Sequence, residues 1–76
     1  MEGRSHVLAK LGKRLRELRQ KRGMSQEVLA ALAGLNRNYV NQVESGRRNI
    51  SILNLVKLTD ALGVDVTALV RGISGK

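Results

Sequence analysis

Residues 25–46 read SQEVLAALAGLNRNYVNQVESG, and the fold turns on how apolar and polar side chains are spaced there. Up to Leu35 the stretch is rich in small and aliphatic residues, with Leu29, Ala30, Ala33 and Leu35 placed to line one face. Beyond Leu35 the only aliphatic side chains are Val40 and Val43, so a helix there buries a thin stripe and carries Arg37, Asn38, Asn41 and Gln42 on its outer side. Ser25 and Asn36 are residue types whose side-chain oxygens cap helix N-termini. Gly34 lies between the two runs, where a tight turn wants a residue without a Cβ. The spacing therefore predicts one helix over Gln26–Ala33 and another from about Arg37 to Ser45, crossing at the small Ala30. This is the plan of a helix-turn-helix, whose second helix enters the major groove with its early residues on base edges.

Outward from this pair, Gly23, Gly34, Gly46, Gly63 and Gly72 each follow an amphipathic run and divide the chain into five short helices. The first runs from about His6 or Leu8 to Arg22, with Leu8, Leu11, Leu15 and Leu18 forming one buried stripe that Gly12 interrupts. The fourth follows Ser51 and ends near Leu62; the fifth follows Asp65 and ends near Val70. The fold class is all-α, a single domain over residues 1–76, with residues 1–5 and 73–76 expected to be flexible.

Composition agrees. The 76-residue chain contains no Pro, Phe or Trp and one Tyr, which favours short helices over a sheet. Its net charge is 14 − 6 = +8. Residues 1–24 hold Arg4, Lys10, Lys13, Arg14, Arg16, Arg19, Lys21 and Arg22 against Glu2 and Glu17. Such an asymmetry points to a polyanionic partner. The absence of cysteine suits a reducing cytoplasm and leaves disulfides and thiolate metal sites without ligands. No apolar run approaches the ~18 residues of a membrane span, so no membrane partner is expected. Catalysis has little to stand on: the one histidine, His6, lies near the N-terminus, and no carboxylate pair or Gly-rich phosphate loop is evident. Neither a cofactor nor a metal is expected.

SQEVLAALAGLNRNYVNQVESGRRN, with LRELRQKRG before it and LNLVKLTDALGV after it, resembles the Cro and phage-repressor family of helix-turn-helix regulators. The match spans roughly residues 8–70. NRNYV, ESGRRN and the short length make it most similar to the small controller proteins of restriction-modification systems. The resemblance implies a compact five-helix bundle of the lambda-repressor-like DNA-binding type with helices 2 and 3 as the motif. It also implies a homodimeric transcription regulator on a palindromic double-stranded operator, in the cytoplasm at the nucleoid, with autoregulation and RNA polymerase as a further partner. Ile50 departs from the family pattern, where proline often precedes the serine that opens the fourth helix.

Roles follow position by position. Arg37, Asn38, Asn41 and Gln42 are candidates for reading bases, since arginine forks onto guanine O6/N7 and Asn or Gln onto adenine N6/N7. Tyr39 either packs beside Leu35 as a rim of the core or lies in the groove against a thymine methyl; likeness to the controller proteins favours the groove. Gln26, Arg47, Arg48 and Asn49 are candidates for the DNA backbone. An acid in a DNA-facing helix repels phosphate, so Glu44 is expected inward or sideways, and the family places against it an arginine corresponding to Arg19. The other basic residues of the first helix are assigned a solvated face that steers association. On the fourth helix Ile52, Leu55, Val56, Leu58 and Leu62 cover an arc of about 160° with Leu53 outside it, more than a small monomer needs. A dimer interface of Ile52, Leu53, Val64, Val66, Leu69 and Val70 is expected, although the last four also suit a cap over the core. Val28 and Leu32, four apart on the second helix, leave open another reading, an antitoxin or phage-type repressor whose domain also binds a protein partner.

Overall fold

A computed structural model describes residues 2–74, with side chains from His6 onward. The elements are α1 (Glu2–Lys21), α2 (Gln26–Ala33), α3 (Arg37–Glu44), α4 (Ile52–Leu62) and α5 (Val66–Val70). Four of the five starts are set by a side chain one residue ahead. Ser25 Oγ accepts from the Val28 N–H, Asn36 Oδ1 from Asn38, Ser51 Oγ from Asn54 and Asp65 Oδ1 from Thr67. Each bond satisfies a backbone donor that the helix itself leaves without a partner. The five glycines between and after the helices all take positive φ, from 68° to 74°. At Gly34 this left-handed cap turns the chain between α2 and α3.

One hydrophobic cluster joins the helices: Leu11 and Leu15 from α1, Leu29, Ala30 and Ala33 from α2, Val40 and Val43 from α3, Leu55, Leu58 and Leu62 from α4, and Leu69 from α5. α1 packs on α3 and α5, α2 on α3 and α4, and α4 on α5. Leu8 and Leu18, expected in the buried stripe of α1, are half-buried at its two ends.

Gly12 holds α1 against α3. A Cβ built on it would lie 2.3 Å from the Val43 carbonyl oxygen and 2.6 Å from that of Glu44. The interruption in the leucine stripe is thus the point where the two backbones touch. Gly46 completes the contact from the other side, since its Cβ would meet Ala9 Cα at 3.2 Å while its φ is 74°.

Several expectations shift. α1 opens at Glu2 rather than at His6 or Leu8, so residues 2–5 continue the helix. Ile73 donates its N–H to the Val70 carbonyl and packs on the core; Met1, Gly75 and Lys76 lie outside the described residues. Leu69 is fully buried within the protomer, so it belongs to the core and not to a dimer surface. Val64, Val66 and Val70 are half-buried against that same core. A helix of one turn and a half has to bury its apolar face on its own bundle before any is left for a partner.

Candidate nucleic-acid interface

α3 is built to show polar groups. Val40 and Val43 are its buried residues, and Arg37, Asn38 and Asn41 are exposed, with Gln42 half-buried. At ~100° per residue these four occupy the side away from the two valines. The left-handed turn at Gly34 and the packing of α2 on α3, with Ala30 3% exposed, set that face outward. It carries one guanidinium and three amides, the groups that pair with base edges in a major groove.

A buried brace stands behind it. Arg19 of α1 forks onto Glu44 of α3, Nε to Oε2 at 2.6 Å and Nη2 to Oε1 at 3.0 Å, and its Nη1 donates to the Met24 carbonyl at 2.8 Å. The two side chains are 12% and 4% exposed, so this pair is shielded from water and screened little by salt. Glu44 is thereby turned away from the outer face, as a carboxylate near phosphates must be. Gln26, first residue of α2, extends the brace: its Nε2 donates to Glu44 Oε1 at 3.1 Å and its Oε1 accepts from Asn41 Nδ2 at 3.3 Å. Both ends of its side chain are therefore engaged by the protein. A cleft of about 190 Å³ opens beside this chain of contacts, lined by Arg16, Arg19, Gln26, Asn41, Glu44 and Ser45.

Tyr39 is half-buried and packs on the core cluster. Arg48 lies over its ring, 5.0 Å from the centroid, close enough for a cation–π contact. The ring lies at the edge of the core and serves also as a platform for a loop cation. Arg47 is exposed and donates from Nε to Ser45 Oγ at 3.0 Å. Asn49 turns its Oδ1 to the Ile50 N–H at 3.0 Å. Ile50 is half-buried against the core, so the place of the family's proline is taken by a residue that both packs and donates. Arg47, Arg48 and Asn49 thus follow the C-terminal end of α3 as a basic rim.

Not every basic residue of α1 lies on a solvated face. Arg14 reaches α5, donating from Nη1 to the Ala68 carbonyl at 3.1 Å and from Nη2 to that of Arg71 at 3.2 Å. It caps a helix end whose carbonyls have no intrahelical partner. Nothing in its local sequence distinguishes it from Lys13 or Arg16.

On α4 the buried residues are Leu55, Leu58, Thr59 and Leu62. Ile52, Leu53 and Val56 remain 71%, 62% and 37% exposed. Ile52 and Val56, expected inside the apolar arc, lie beyond its buried part. Thr59 was not foreseen in the core; its hydroxyl donates to the Leu55 and Val56 carbonyls, which makes burial tolerable.

Fold and face together define a DNA-binding regulator of the helix-turn-helix class. Residues 15–69 match the helix-turn-helix family, and the chain belongs to it. Its relatives include the control protein C.MunI of Mycoplasma sp, 38% identical over 68 residues that span 88% of this chain and 92% of that protein. The control protein C.BamHI of Bacillus amyloliquefaciens is 44% identical over 54 residues, 70% of this chain and 67% of that one. The crystal structure of the restriction-modification controller protein C.AhdI from Aeromonas hydrophila superposes with a TM-score of 0.81 at 53% identity, covering 82% of this chain and 94% of that one.

Proposed function

We propose that the chain acts as a homodimer on a palindromic operator, as a controller-type regulator that governs its own transcription. The observation that carries this is the outward row of Arg37, Asn38 and Asn41 on a helix held in place by a buried ion pair. Arg37 forks onto a guanine, Asn38, Asn41 and Gln42 take the neighbouring bases, and Arg47, Arg48 and Asn49 grip the backbone. The protein binds and does not catalyse; RNA polymerase is the partner it meets at the promoter. It works in the cytoplasm, at the nucleoid. No described helix is long and apolar enough to cross a membrane. The controller subclass rests on the names of C.MunI, C.BamHI and C.AhdI.

Two-fold pairing is supported by Ile52, Leu53 and Val56, apolar side chains within an arc of about 100° on α4 that the protomer leaves exposed. Pairing through it sets two copies of α3 about 34 Å apart, one turn of B-DNA. Selection of bound duplexes from a random library, followed by footprinting, tests the reading. The expected result is a two-fold motif bound ~10³-fold or more above a scrambled duplex; equal affinity for all duplexes would end it.

A second reading has its own observation. Val28 and Leu32 on α2 are 47% and 61% exposed, and they would suit an antitoxin or phage-type repressor that also holds a protein partner there. In that case a stable complex with that protein forms without DNA and is lost on Leu32→Ser, while operator affinity is kept.

A further inference from the structure

We infer that Gln26 is a positioning residue that fixes the amide of Asn41 so that Asn41 reads adenine, an inference that rests on the operator-binding reading above. The direction comes from Glu44. An ionised carboxylate only accepts hydrogen bonds, and both Glu44 oxygens already take Arg19 donors. The Gln26 group that approaches Oε1 at 3.1 Å has to be its NH2. A planar amide with its nitrogen on Glu44 turns its oxygen the other way, and that oxygen meets Asn41 at 3.3 Å. Asn41 must answer an acceptor with a donor, so its Nδ2 faces Gln26 and its Oδ1 faces outward.

This polarity decides what Asn41 can read. Its exposed edge offers one carbonyl oxygen and the one remaining N–H. In the major groove, adenine presents a donor at N6 beside an acceptor at N7, which matches that edge as a fork. Guanine shows two acceptors there, and thymine an acceptor with a methyl group. A phosphate accepts only, so an outward carbonyl suits a base better than the backbone. Arg19, Glu44 and Gln26, which come from three different helices, act on the base through Asn41.

The test compares duplexes selected by the wild-type protein, Asn41→Ala and Gln26→Met, with Gln26→Ala as a second variant should the methionine disturb folding. The wild type is expected to prefer adenine at one position in each half-site, and Asn41→Ala to lose the preference there alone. Gln26→Met should weaken that same preference by about tenfold while the position that depends on Arg37 keeps its own. Replacing the adenine by 7-deazaadenine, which lacks N7, should cost the wild type about tenfold in affinity and Gln26→Met much less. Guanine or thymine at the Asn41-dependent position overturns the inference. So does a uniform loss across all duplexes on either substitution, which would make these residues backbone anchors, or an unchanged adenine preference in both Gln26 variants. No shared motif in the wild-type selection overturns the operator reading itself and this one with it.

Discussion

Gly12 shows how a single absent side chain sets a domain's geometry. In an exposed helix interior, glycine to alanine gains about 1 kcal/mol because the unfolded chain loses freedom. Here the new Cβ would sit 2.3 Å from the Val43 carbonyl, far inside contact distance and against backbone, which cannot rotate away. Overpacking of this kind costs ~1–3 kcal/mol, so Gly12→Ala is expected to destabilise, by a lowered midpoint in urea at unchanged slope. A more stable variant would mean that α1 and α3 do not touch there. Glu44 makes the complementary case. With Glu44 removed, Arg19 keeps its bond to the Met24 carbonyl but remains a mostly buried cation. Glu44→Ala is therefore expected to cost ~3–5 kcal/mol, and Arg19→Ala a similar amount. For a domain this small each lost kcal/mol lowers Tm by roughly 4–8 °C, so calorimetry decides. A shift of only a degree or two would show the pair to be no better than an exposed one.

Among the elements, α2 and α3 were legible almost to the residue because their limits are local chemistry: Ser25 and Asn36 cap, and Gly34 turns. The start of α1 was not, since residues 1–5 carry no apolar period and no terminating signal. The outward face of α3 was readable from Val40 and Val43 alone. The contacts of Gln26 with Glu44 and Asn41 were not, because they join residues 18 and 15 positions apart in sequence. Arg14 was hidden for the same reason: its partners, Ala68 and Arg71, lie 54 and 57 positions away. α3 and its following loop should separate by function. Arg37→Ala is expected to relax base choice at one position in each half-site, at a cost of ~1–3 kcal/mol there. Arg47→Ala should weaken all duplexes alike and reduce the slope of log affinity against log salt by about 1. Binding titrations at several salt concentrations distinguish the two. If Arg47→Ala altered base preference instead, the loop would have to reach a groove floor.

The chain measures 32 × 22 × 21 Å along its principal axes and presents one outward α3 face. In the proposed homodimer the second copy supplies the other recognition helix, and the question is which apolar residues join the two. Leu69 is 0% exposed while Ile52 and Leu53 are 71% and 62% exposed, so truncations at these positions should fail in different ways. Leu69→Ala removes core volume and should cost ~2–5 kcal/mol at every protein concentration. The double substitution Ile52→Asp with Leu53→Glu leaves the protomer core intact and acts on association. In a two-fold interface each position occurs twice, so four side chains are affected. At ~1.5 kcal/mol or more apiece the dimer is weakened by roughly 6 kcal/mol, or about four decades in dissociation constant. Sedimentation equilibrium should then find a folded monomer at micromolar concentration, with a helical circular-dichroism spectrum like that of the wild type. Its footprint should shrink to one half-site and its affinity should no longer depend on half-site spacing. A dimer that persisted in this double variant would place the two-fold axis elsewhere and free the α4 stretch for another partner.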